Sequence, residues 1–392
     1  NRFGMVDHAR TRREARALLQ KLGVSLDVDA SVSSLSVADQ QMVEIARAMA
    51  HHLKLLVLDE PTAVIAGREV TLLFDLLRRL RESGVSVLFI SHRLDEVFAI
   101  CDRVTVLKDG RQVGTHDTAD VTRERLISMM VGRELGDLFP TRPVETAGGE
   151  PVLRTDGIAV GDRVRDVSIE LRAGEIVALA GMVGAGRSEL ALGLFGAVPI
   201  LSGTIHLRGQ RFNSMSPARA IELGMGLVTE DRKSQGLAML LDVAANISGP
   251  ALSEIARHGL IDRSLEASIA AREIERYRIA CRGPATRVAT MSGGNQQKVI
   301  VARWARICRS VLILDEPTRG IDVGAKAEIY RIMRDLAASG VAILMISSEL
   351  TEVIGMADRV IVMREGRITG ELAGRQATEE SITHLATSER AT

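Results

Sequence analysis

A glycine-rich sequence, GMVGAGRSEL, carries residue types suited to holding a phosphate group. Gly181, Gly184 and Gly186 permit tight backbone turns, so that successive N–H groups, including that of Ala185, can point at phosphate oxygens. Ser188 follows at the position where a hydroxyl can bind Mg²⁺. The pattern predicts a nucleotide-binding loop at a strand-to-helix turn, where the helix adds its positive N-terminal end.

Two residues distinguish this loop from the common form G-x-x-x-x-G-K-[ST]. Arg187 stands in place of the lysine and keeps the positive charge, but its planar fork is not positioned like an ammonium group at the β- and γ-phosphates. Glu189 adds a negative charge close to where phosphates would lie. We therefore expect nucleotide binding at this loop together with weak hydrolysis.

The sequence LDEPT occurs twice, each time at the end of an apolar run, and supplies paired carboxylates. The first of each pair, Asp59 or Asp315, is expected to hold Mg²⁺ through water. The second, Glu60 or Glu316, is expected to polarise the attacking water as general base. A strand that ends in an acidic turn would explain one copy, but a serine-led Gln-Gln motif precedes both. The repetition favours two nucleotide sites.

That serine-led motif differs between its two copies. SGGNQQ, from Ser292, offers a hydroxyl and exposed backbone N–H groups at a helix start, which is an anion-binding arrangement. SVADQQ, from Ser36, has Val37 and Ala38 where the other copy has glycines. Because a β-branched side chain blocks close approach of the backbone, we expect the first copy to contact phosphate less well.

These motifs require elements that hold them together. The apolar runs IVALAG (Ile176–Gly181), VLILDE (Val311–Glu316) and AILMIS (Ala342–Ser347) are short, continuous and bounded by turns, as buried parallel strands are. The stretch AKAEIYRIMRDLAAS (Ala325–Ser339) between two of them predicts a helix. The fold class is therefore α/β, with the phosphate loop at a strand-to-helix turn.

The chain contains a duplication at an offset of 256 residues, which aligns SVADQQ with SGGNQQ, LDEPT with LDEPT, and DRVTVLKDGR with DRVIVMREGR. The same offset places the counterpart of Gly181 ahead of Asn1. We therefore expect residues 1–135 to be the C-terminal part of a first copy. Residues 136–151, rich in Pro and Gly, are predicted to form a linker, and residues 152–392 a complete second copy.

His92 follows the apolar run SVLFI, and Ser348 occupies the same place in the second copy. A histidine here could hydrogen-bond a γ-phosphate and the attacking water. An isolated histidine is more often a surface or core residue, but the position of His92 in the repeated frame favours a catalytic role.

Composition limits the classes of function. Lys plus Arg and Asp plus Glu both number 50, which argues against nucleic-acid binding driven by net charge. Cys101, Cys281 and Cys308 are widely spaced and odd in number, which fits a reducing compartment without a disulfide framework. No segment is predicted to cross a membrane or to serve as a signal peptide. A role at a membrane would require docking onto another protein.

A phosphate loop, S-G-G-x-Q, LDEPT and a strand-terminal histidine together resemble the ATP-binding cassette. Nearly the whole chain is similar to duplicated ATPase subunits of carbohydrate importers of the ribose, xylose and galactose type, and the details that carry this resemblance are GMVGAGRSE, VTEDRKSQGL, MSGGNQQK, DEPTRGIDVGAK and SSEL. The resemblance implies a P-loop NTPase fold with tandem cassettes, the first incomplete, and ATP and Mg²⁺ as cofactors. It also implies transmembrane permease subunits as partners, a periplasmic sugar-binding protein as an indirect one, no nucleic acid, and a cytoplasmic place on the inner face of the membrane.

Cassettes of this family pair head to tail, which implies two composite sites within one chain. One would combine Asp59, Glu60 and His92 with Ser292, Gly293, Gly294 and Gln296. The other would combine the motif at Ser36 with Gly181, Gly184, Ala185, Gly186, Arg187, Ser188, Glu189, Asp315 and Glu316, and with Glu230 where cassettes usually carry glutamine. The differences imply one catalytic site and one that mainly holds nucleotide.

Two other interpretations stay open at this point. Soluble tandem-cassette proteins that act on ribosomes have two intact signature motifs and a long charged linker, whereas this chain has SVADQQ and a short linker. A product of a broken gene would be inactive. We expect the chain as given to hydrolyse ATP slowly or not at all, because the half-site with intact motifs lacks its loop.

Overall fold

The computed structural model describes residues 7–24, 26–50, 53–62, 68–91, 93–108, 110–131, 138–141 and 150–387. The chain falls into two compact units, Asn1–Leu135 and Gly136–Thr392. Among the described residues, no helix combines the length and the apolar character needed to cross a bilayer.

The first unit consists of helices around two pairs of strands. Its elements are α1 (His8–Leu22), α2 (Val37–Met49), β1 (Leu55–Asp59), α3 (Arg68–Glu82), β2 (Ser86–Ile90), α4 (Leu94–Ile100), β3 (Arg103–Lys108), β4 (Arg111–Asp117) and α5 (Arg123–Val131). Strands β1 and β2 are parallel, with Asp59 opposite Ile90, and β3 and β4 form an antiparallel hairpin.

Strands β1 and β2 bury only one of their two faces among the described residues. Leu56 and Leu58 lie in a core with side chains of α2 and α3. The opposite face carries four residues that are each about half exposed, namely Leu55 (54%), Val57 (53%), Leu88 (52%) and Ile90 (45%). The continuous apolar sequence of β1 and β2 is typical of strands that are buried on both faces, but among the described residues one face of the pair is exposed.

The second unit contains two larger sheets and a small hairpin. Its strands are β5 (Pro151–Val160), β6 (Val164–Val167), β7 (Glu170–Arg172), β8 (Ile176–Gly181), β9 (Ile200–Leu207), β10 (Gln210–Phe212), β11 (Gly226–Val228), β12 (Ala256–Arg257), β13 (Leu260–Ile261), β14 (Val311–Asp315), β15 (Ala342–Ile346), β16 (Arg359–Arg364) and β17 (Arg367–Ala373). Its helices are α6 (Arg187–Phe195), α7 (Pro217–Glu222), α8 (Val243–Ser248), α9 (Leu252–Ile255), α10 (Arg263–Arg276), α11 (Gly293–Ile307), α12 (Val323–Ala338), α13 (Leu350–Met356) and α14 (Glu379–Thr387).

The central sheet of the second unit has the order β11-β14-β15-β8-β16-β17, and all its neighbours are parallel except β16 and β17. Every residue of β14 and β15 is buried. The three predicted strands and the predicted helix are confirmed to within two residues at each end. Because β8, β14 and β15 run in the same direction, their carboxyl ends meet at one edge, where ligands bind in open α/β sheets.

A separate antiparallel sheet, with the order β10-β9-β5-β6 and β7 paired to β5, lies at the start of the second unit. The predicted linker ends where β5 begins, at Pro151. Part of that linker is packed rather than extended, since the Phe139 ring stacks on Tyr330 of α12 with centroids 5.0 Å apart. Leu138 and Phe139 thus contact the core of the second unit.

Candidate nucleotide site of the second unit

The glycine loop connects β8 to α6, as its sequence predicts. Gly181, Gly184 and Gly186 have φ angles of 149°, 84° and 95°, in the region that side-chain-bearing residues rarely adopt. At Gly181 a Cβ atom would lie 2.2 Å from the carbonyl oxygen of Met363 on β16. Gly186 is the N-cap of α6, so the loop leads directly into the N-terminal end of that helix. This geometry suits a phosphate group.

Arg187 turns into the protein instead of extending along the loop. Its side chain is 8% exposed, and Nη1 donates a hydrogen bond of 2.7 Å to the carbonyl oxygen of Ser347, at the end of β15. Nη2 lies 3.9 Å from Oε1 of Glu316. The positive charge of the loop therefore faces the carboxylate that sequence analysis assigns as general base.

We expect Arg187→Ala to weaken ATP binding by the chain about 10-fold to 100-fold, because it removes the loop's positive charge and leaves Glu316 without this cation. Arg187→Lys keeps a charge that can extend to the phosphates, and it should bind ATP within about 3-fold of the wild type. Isothermal titration calorimetry with Mg·ATP measures both. Unchanged affinity in the alanine variant would contradict a role for Arg187 in binding.

Asp315 and Ser188 form the part of the site that can hold a cation. The Ser188 hydroxyl lies close enough to the Asp315 carboxylate to lower its pKa, while the buried Oδ1 of Asp315 has no hydrogen-bond partner among the described residues. Burial raises the pKa of Asp315 to about 6; Glu230 and Glu316 add to this shift, and Ser188 and Arg187 oppose it. A hydroxyl beside a buried carboxylate oxygen that lacks a donor fits Mg²⁺, which prefers oxygen ligands and takes others from water and phosphate.

Because the pKa of Asp315 is raised, the stability of the fold is expected to depend on pH. The folded form binds the proton more tightly than an unfolded aspartate with a pKa of 3.8. Protonation of Asp315 therefore adds about 3 kcal/mol to the free energy of unfolding. This contribution is fully present below about pH 4 and is lost as the pH rises through about 6. Without nucleotide, Asp315→Asn should melt at a higher temperature than the wild type at pH 8, and the difference should shrink toward pH 4.

The same substitution should strongly weaken Mg²⁺-dependent ATP binding, since a neutral amide oxygen is a poorer ligand than a carboxylate. Calorimetric melts from pH 4 to 8, with titrations at pH 8, test both effects. A lower melting temperature for Asp315→Asn at pH 8 would contradict the buried-charge explanation.

Glu316 occupies a strained position at the mouth of the site. Its φ angle is 49°, and its N–H donates to the carbonyl oxygen of Ile346 at 2.9 Å. Its carboxylate accepts a hydrogen bond of 3.0 Å from the Ser348 hydroxyl. Glu60 in the first unit has the same turn, with a φ angle of 45° and an N–H bond of 2.9 Å to Ile90. The two copies thus hold this glutamate in one conformation.

Two further acidic residues of the predicted site are paired with arginines. Glu189 lies 3.4 Å from Nε of Arg163, in the turn between β5 and β6. Glu230 forms an ion pair with Arg319, which follows the second LDEPT. The negative charges expected near the phosphates are therefore partly neutralised. Sequence analysis missed both arginines, although the uncompensated charge of Glu189 beside a phosphate loop was a signal to look for one.

Comparisons with known proteins identify the family of the chain. A family model described as ABC transporter matches residues 2–63 and 164–319. The chain belongs to the ABC transporter family. A ribose import ATP-binding protein of Streptomyces avermitilis is 46% identical over 385 residues, covering 98% of this chain and 76% of that protein. One of Rubrobacter xylanophilus is 48% identical over 386 residues, covering 98% and 77%.

Solved structures show the same fold. A nucleotide-free ATP-binding cassette from an ABC transporter superposes with a TM-score of 0.53 at 19% identity, covering 61% of this chain and 100% of that one. An ATP-binding cassette in an ADP conformation gives a TM-score of 0.50 at 21% identity, covering 61% and 95%. The chain therefore has the P-loop NTPase fold of the ABC ATPases, as its motifs predict.

The ABC signature motif of the second unit begins α11. Ser292 is the N-cap, and its hydroxyl accepts a 2.9 Å hydrogen bond from the Asn295 side chain. A Cβ at Gly294 would lie 2.6 Å from a side chain of α12, so this glycine also serves packing inside the cassette. Gln296 is buried, and its amide donates to the carbonyl oxygen of Val288 at 3.1 Å. The structure thus gives Gln296, predicted to bind nucleotide, an internal partner.

In the first unit the signature serine is engaged by its own helix. Ser36 caps α2, donates to Oδ2 of Asp39 at 2.7 Å, and accepts from the Asp39 N–H at 3.1 Å. A carboxylate therefore occupies the helix start, where an anionic ligand would otherwise gain from the helix dipole. Asp59 and Glu60 lie together at the end of β1, whereas His92 falls outside the described residues.

Proposed function

We propose that this chain is the ATP-hydrolysing subunit that energises import of a monosaccharide, with ribose as the first candidate cargo. The observation that carries the proposal is the convergence of the glycine loop, the Ser188–Asp315 pair and Glu316 at one edge of a parallel sheet. A relative named as a ribose import ATP-binding protein, from Rhodococcus jostii, matches 100% of this chain at 47% identity. That name supports the choice of cargo class.

The chemistry assigned to the second unit follows from its contacts. Backbone N–H groups of the glycine loop donate hydrogen bonds to phosphate oxygens, and the N-terminal end of α6 adds positive potential. The Ala185 N–H, expected to take part, instead donates to the Met182 carbonyl oxygen at 3.1 Å. Ser188 and Asp315 hold Mg²⁺, which when bound neutralises phosphate charge. Glu316 orients the attacking water, but its carboxylate already bonds Ser348 and lies near Arg187. We assign this site mainly to nucleotide holding.

The first unit supplies the residues to which we assign turnover. Asp59 and Glu60 follow β1 in the same turn as Asp315 and Glu316 follow β14, and His92 completes the set in the sequence. Ser292, Gly293 and Gly294 retain the signature sequence that Ser36 and its neighbours lack. An asymmetric pair of sites, one for turnover and one for holding nucleotide, is the arrangement that these differences support.

We further propose that the chain works at the inner face of the membrane, bound to permease subunits that receive sugar from a binding protein. The word import in the relatives' names supports a membrane partner. The ribosome-acting alternative is not favoured, because these relatives match nearly the whole chain.

Uptake of radiolabelled ribose tests this proposal directly. Inactivation of the gene in the cell of origin should abolish ATP-dependent ribose uptake and leave uptake of an unrelated amino acid unchanged. Asp315→Asn and Glu60→Gln alleles separate loss of the protein from loss of its chemistry. Normal uptake of ribose, xylose and galactose after inactivation, with the protein recovered on ribosomes, would overturn the proposal.

A further inference from the structure

Glu352, on the first turn of α13, is a buried carboxylate that binds two strand ends at once. It is 1% exposed. Oε1 accepts a hydrogen bond of 3.1 Å from the Thr318 hydroxyl, and Oε2 accepts one of 2.5 Å from the Ser347 hydroxyl. Thr318 and Ser347 are themselves buried, so neither hydroxyl has bulk water as an alternative partner.

The two donors lie close in sequence to Glu316 and Ser348, which belong to the proposed nucleotide site. Thr318 follows Glu316 by two residues, after β14, and Ser347 directly precedes Ser348, after β15. Glu316 and Ser348 are hydrogen-bonded to each other at 3.0 Å. Because Glu352 accepts hydrogen bonds from both Thr318 and Ser347, it fixes the separation of the ends of β14 and β15.

The first unit repeats this arrangement at the same offset of 256 residues. Glu96 is 4% exposed, and its Oε2 accepts hydrogen bonds from the hydroxyls of Thr62 at 2.6 Å and Ser91 at 3.0 Å. Arg93 adds an ion pair at 2.9 Å. The position equivalent to Arg93 is Glu349, so the second copy has a carboxylate where the first has this cation, while the buried carboxylate and both hydroxyls are the same.

The surroundings of Glu352 make it an unfavourable place for a carboxylate. Burial raises the pKa of Glu352 to about 7; Glu349 adds to this shift, and Ser347, Lys326 and Thr318 oppose it. Lys326 is engaged by Glu349 at 2.5 Å. The buried Tyr330 lies against Thr318 and Glu352 and carries the stacked ring of Phe139. A buried carboxylate is costly to desolvate, and here it is retained with two buried hydroxyls as donors, which indicates that it fixes their positions.

We propose that Glu352 is a positioning residue that keeps Glu316 and Ser348 in register for the γ-phosphate and thereby favours ATP over ADP. The inference rests on the proposed function of the second site as a nucleotide site. ADP lacks the γ-phosphate and is held by the glycine loop, which Glu352 does not contact. Loss of Glu352 should therefore affect the two nucleotides differently.

Calorimetric affinities of the full chain for Mg·ATP and Mg·ADP, compared between variants, test the proposal. Glu352→Ala should weaken ATP binding about 10-fold and change ADP binding less than about 2-fold. Glu352→Gln retains one acceptor and should lie between the alanine variant and the wild type. Glu349→Gln, on the same turn but partly exposed, is the matched control and should keep the wild-type ratio. Equal losses for ATP and ADP, or no loss for either, would overturn the proposal.

Hydrogen exchange of the nucleotide-free chain supplies a measurement that does not depend on the proposed function. Exchange of backbone amides at residues 316–320 and 346–350 should rise at least about 10-fold in Glu352→Ala and stay unchanged in β16. If the wild type fails to bind ATP while these rates rise, the proposed function fails and the positioning role stands. Unchanged rates would overturn the positioning role. Ser347→Ala and Thr318→Val, which each remove one hydrogen bond, replace Glu352→Ala if that variant fails to fold.

Discussion

In a transporter assembled from this chain with a first-copy phosphate loop supplied ahead of Asn1, Glu60→Gln is expected to lower the ATP turnover at least about 100-fold, whereas Glu316→Gln should lower it less than about 3-fold. Both glutamates end a strand in the same left-handed turn, with φ angles of 45° and 49°. The carboxylate of Glu316 accepts a hydrogen bond from Ser348 and lies 3.9 Å from Arg187, and both contacts lower its capacity to accept a proton. The sequence places His92 where the second unit has Ser348.

Phosphate release by the complex with its permease, at saturating ATP, measures this difference. Because glutamine is isosteric with glutamate, nucleotide affinity should change little, and binding measured in parallel serves as the control. Equal losses of turnover in the two variants would contradict the assignment of turnover to the first unit. A larger loss from Glu316→Gln would reverse it.

Gly181→Ala is expected to abolish nucleotide binding at the second unit and to lower its free energy of unfolding by about 3 kcal/mol or more. The added Cβ would lie 2.2 Å from the Met363 carbonyl oxygen, and the φ angle of 149° is one that alanine rarely adopts. Relief of this clash requires β8 to move away from β16, which displaces the loop that follows.

Gly184→Ala is the comparison variant, because its φ angle of 84° is also positive but nearer the left-handed helical region, and the nearest atom, on the Arg163 side chain, is 3.7 Å away. It should cost about 1 kcal/mol and retain measurable binding. Differential scanning calorimetry and Mg·ATP titration of both variants make the comparison. Equal destabilisation by the two substitutions would show that backbone strain, and not the contact with β16, decides the effect.

The local parts of the site were predictable from the sequence. The strands β8, β14 and β15 are continuous apolar runs. Because parallel strands end at one edge of a sheet, the glycines and carboxylates at their ends predict a ligand site there. The duplication also supports the assignment of the carboxylates, since composition does not explain two LDEPT sequences at the same offset as the other repeated motifs.

The parts that sequence analysis missed depend on contacts between distant residues. The bond from Arg187 to the Ser347 carbonyl joins residues 160 apart, and no local pattern encodes it. The pairing of Glu230 with Arg319 spans 89 residues. The internal role of Gln296 depends on where α11 packs. The five-stranded antiparallel sheet was also not predicted, because three of its strands, β6, β7 and β10, have only three or four residues and pair with partners distant in the sequence or across short turns.

The open face of β1 and β2 has a consequence for how this chain behaves in solution. Leu55, Val57, Leu88 and Ile90 form an apolar surface on a short, two-stranded sheet whose edges are not covered by other described strands. Such a surface favours edge-to-edge and face-to-face association between copies. In β14 and β15 of the second unit, by contrast, every residue is buried, so this route to self-association belongs to the strands of the first unit.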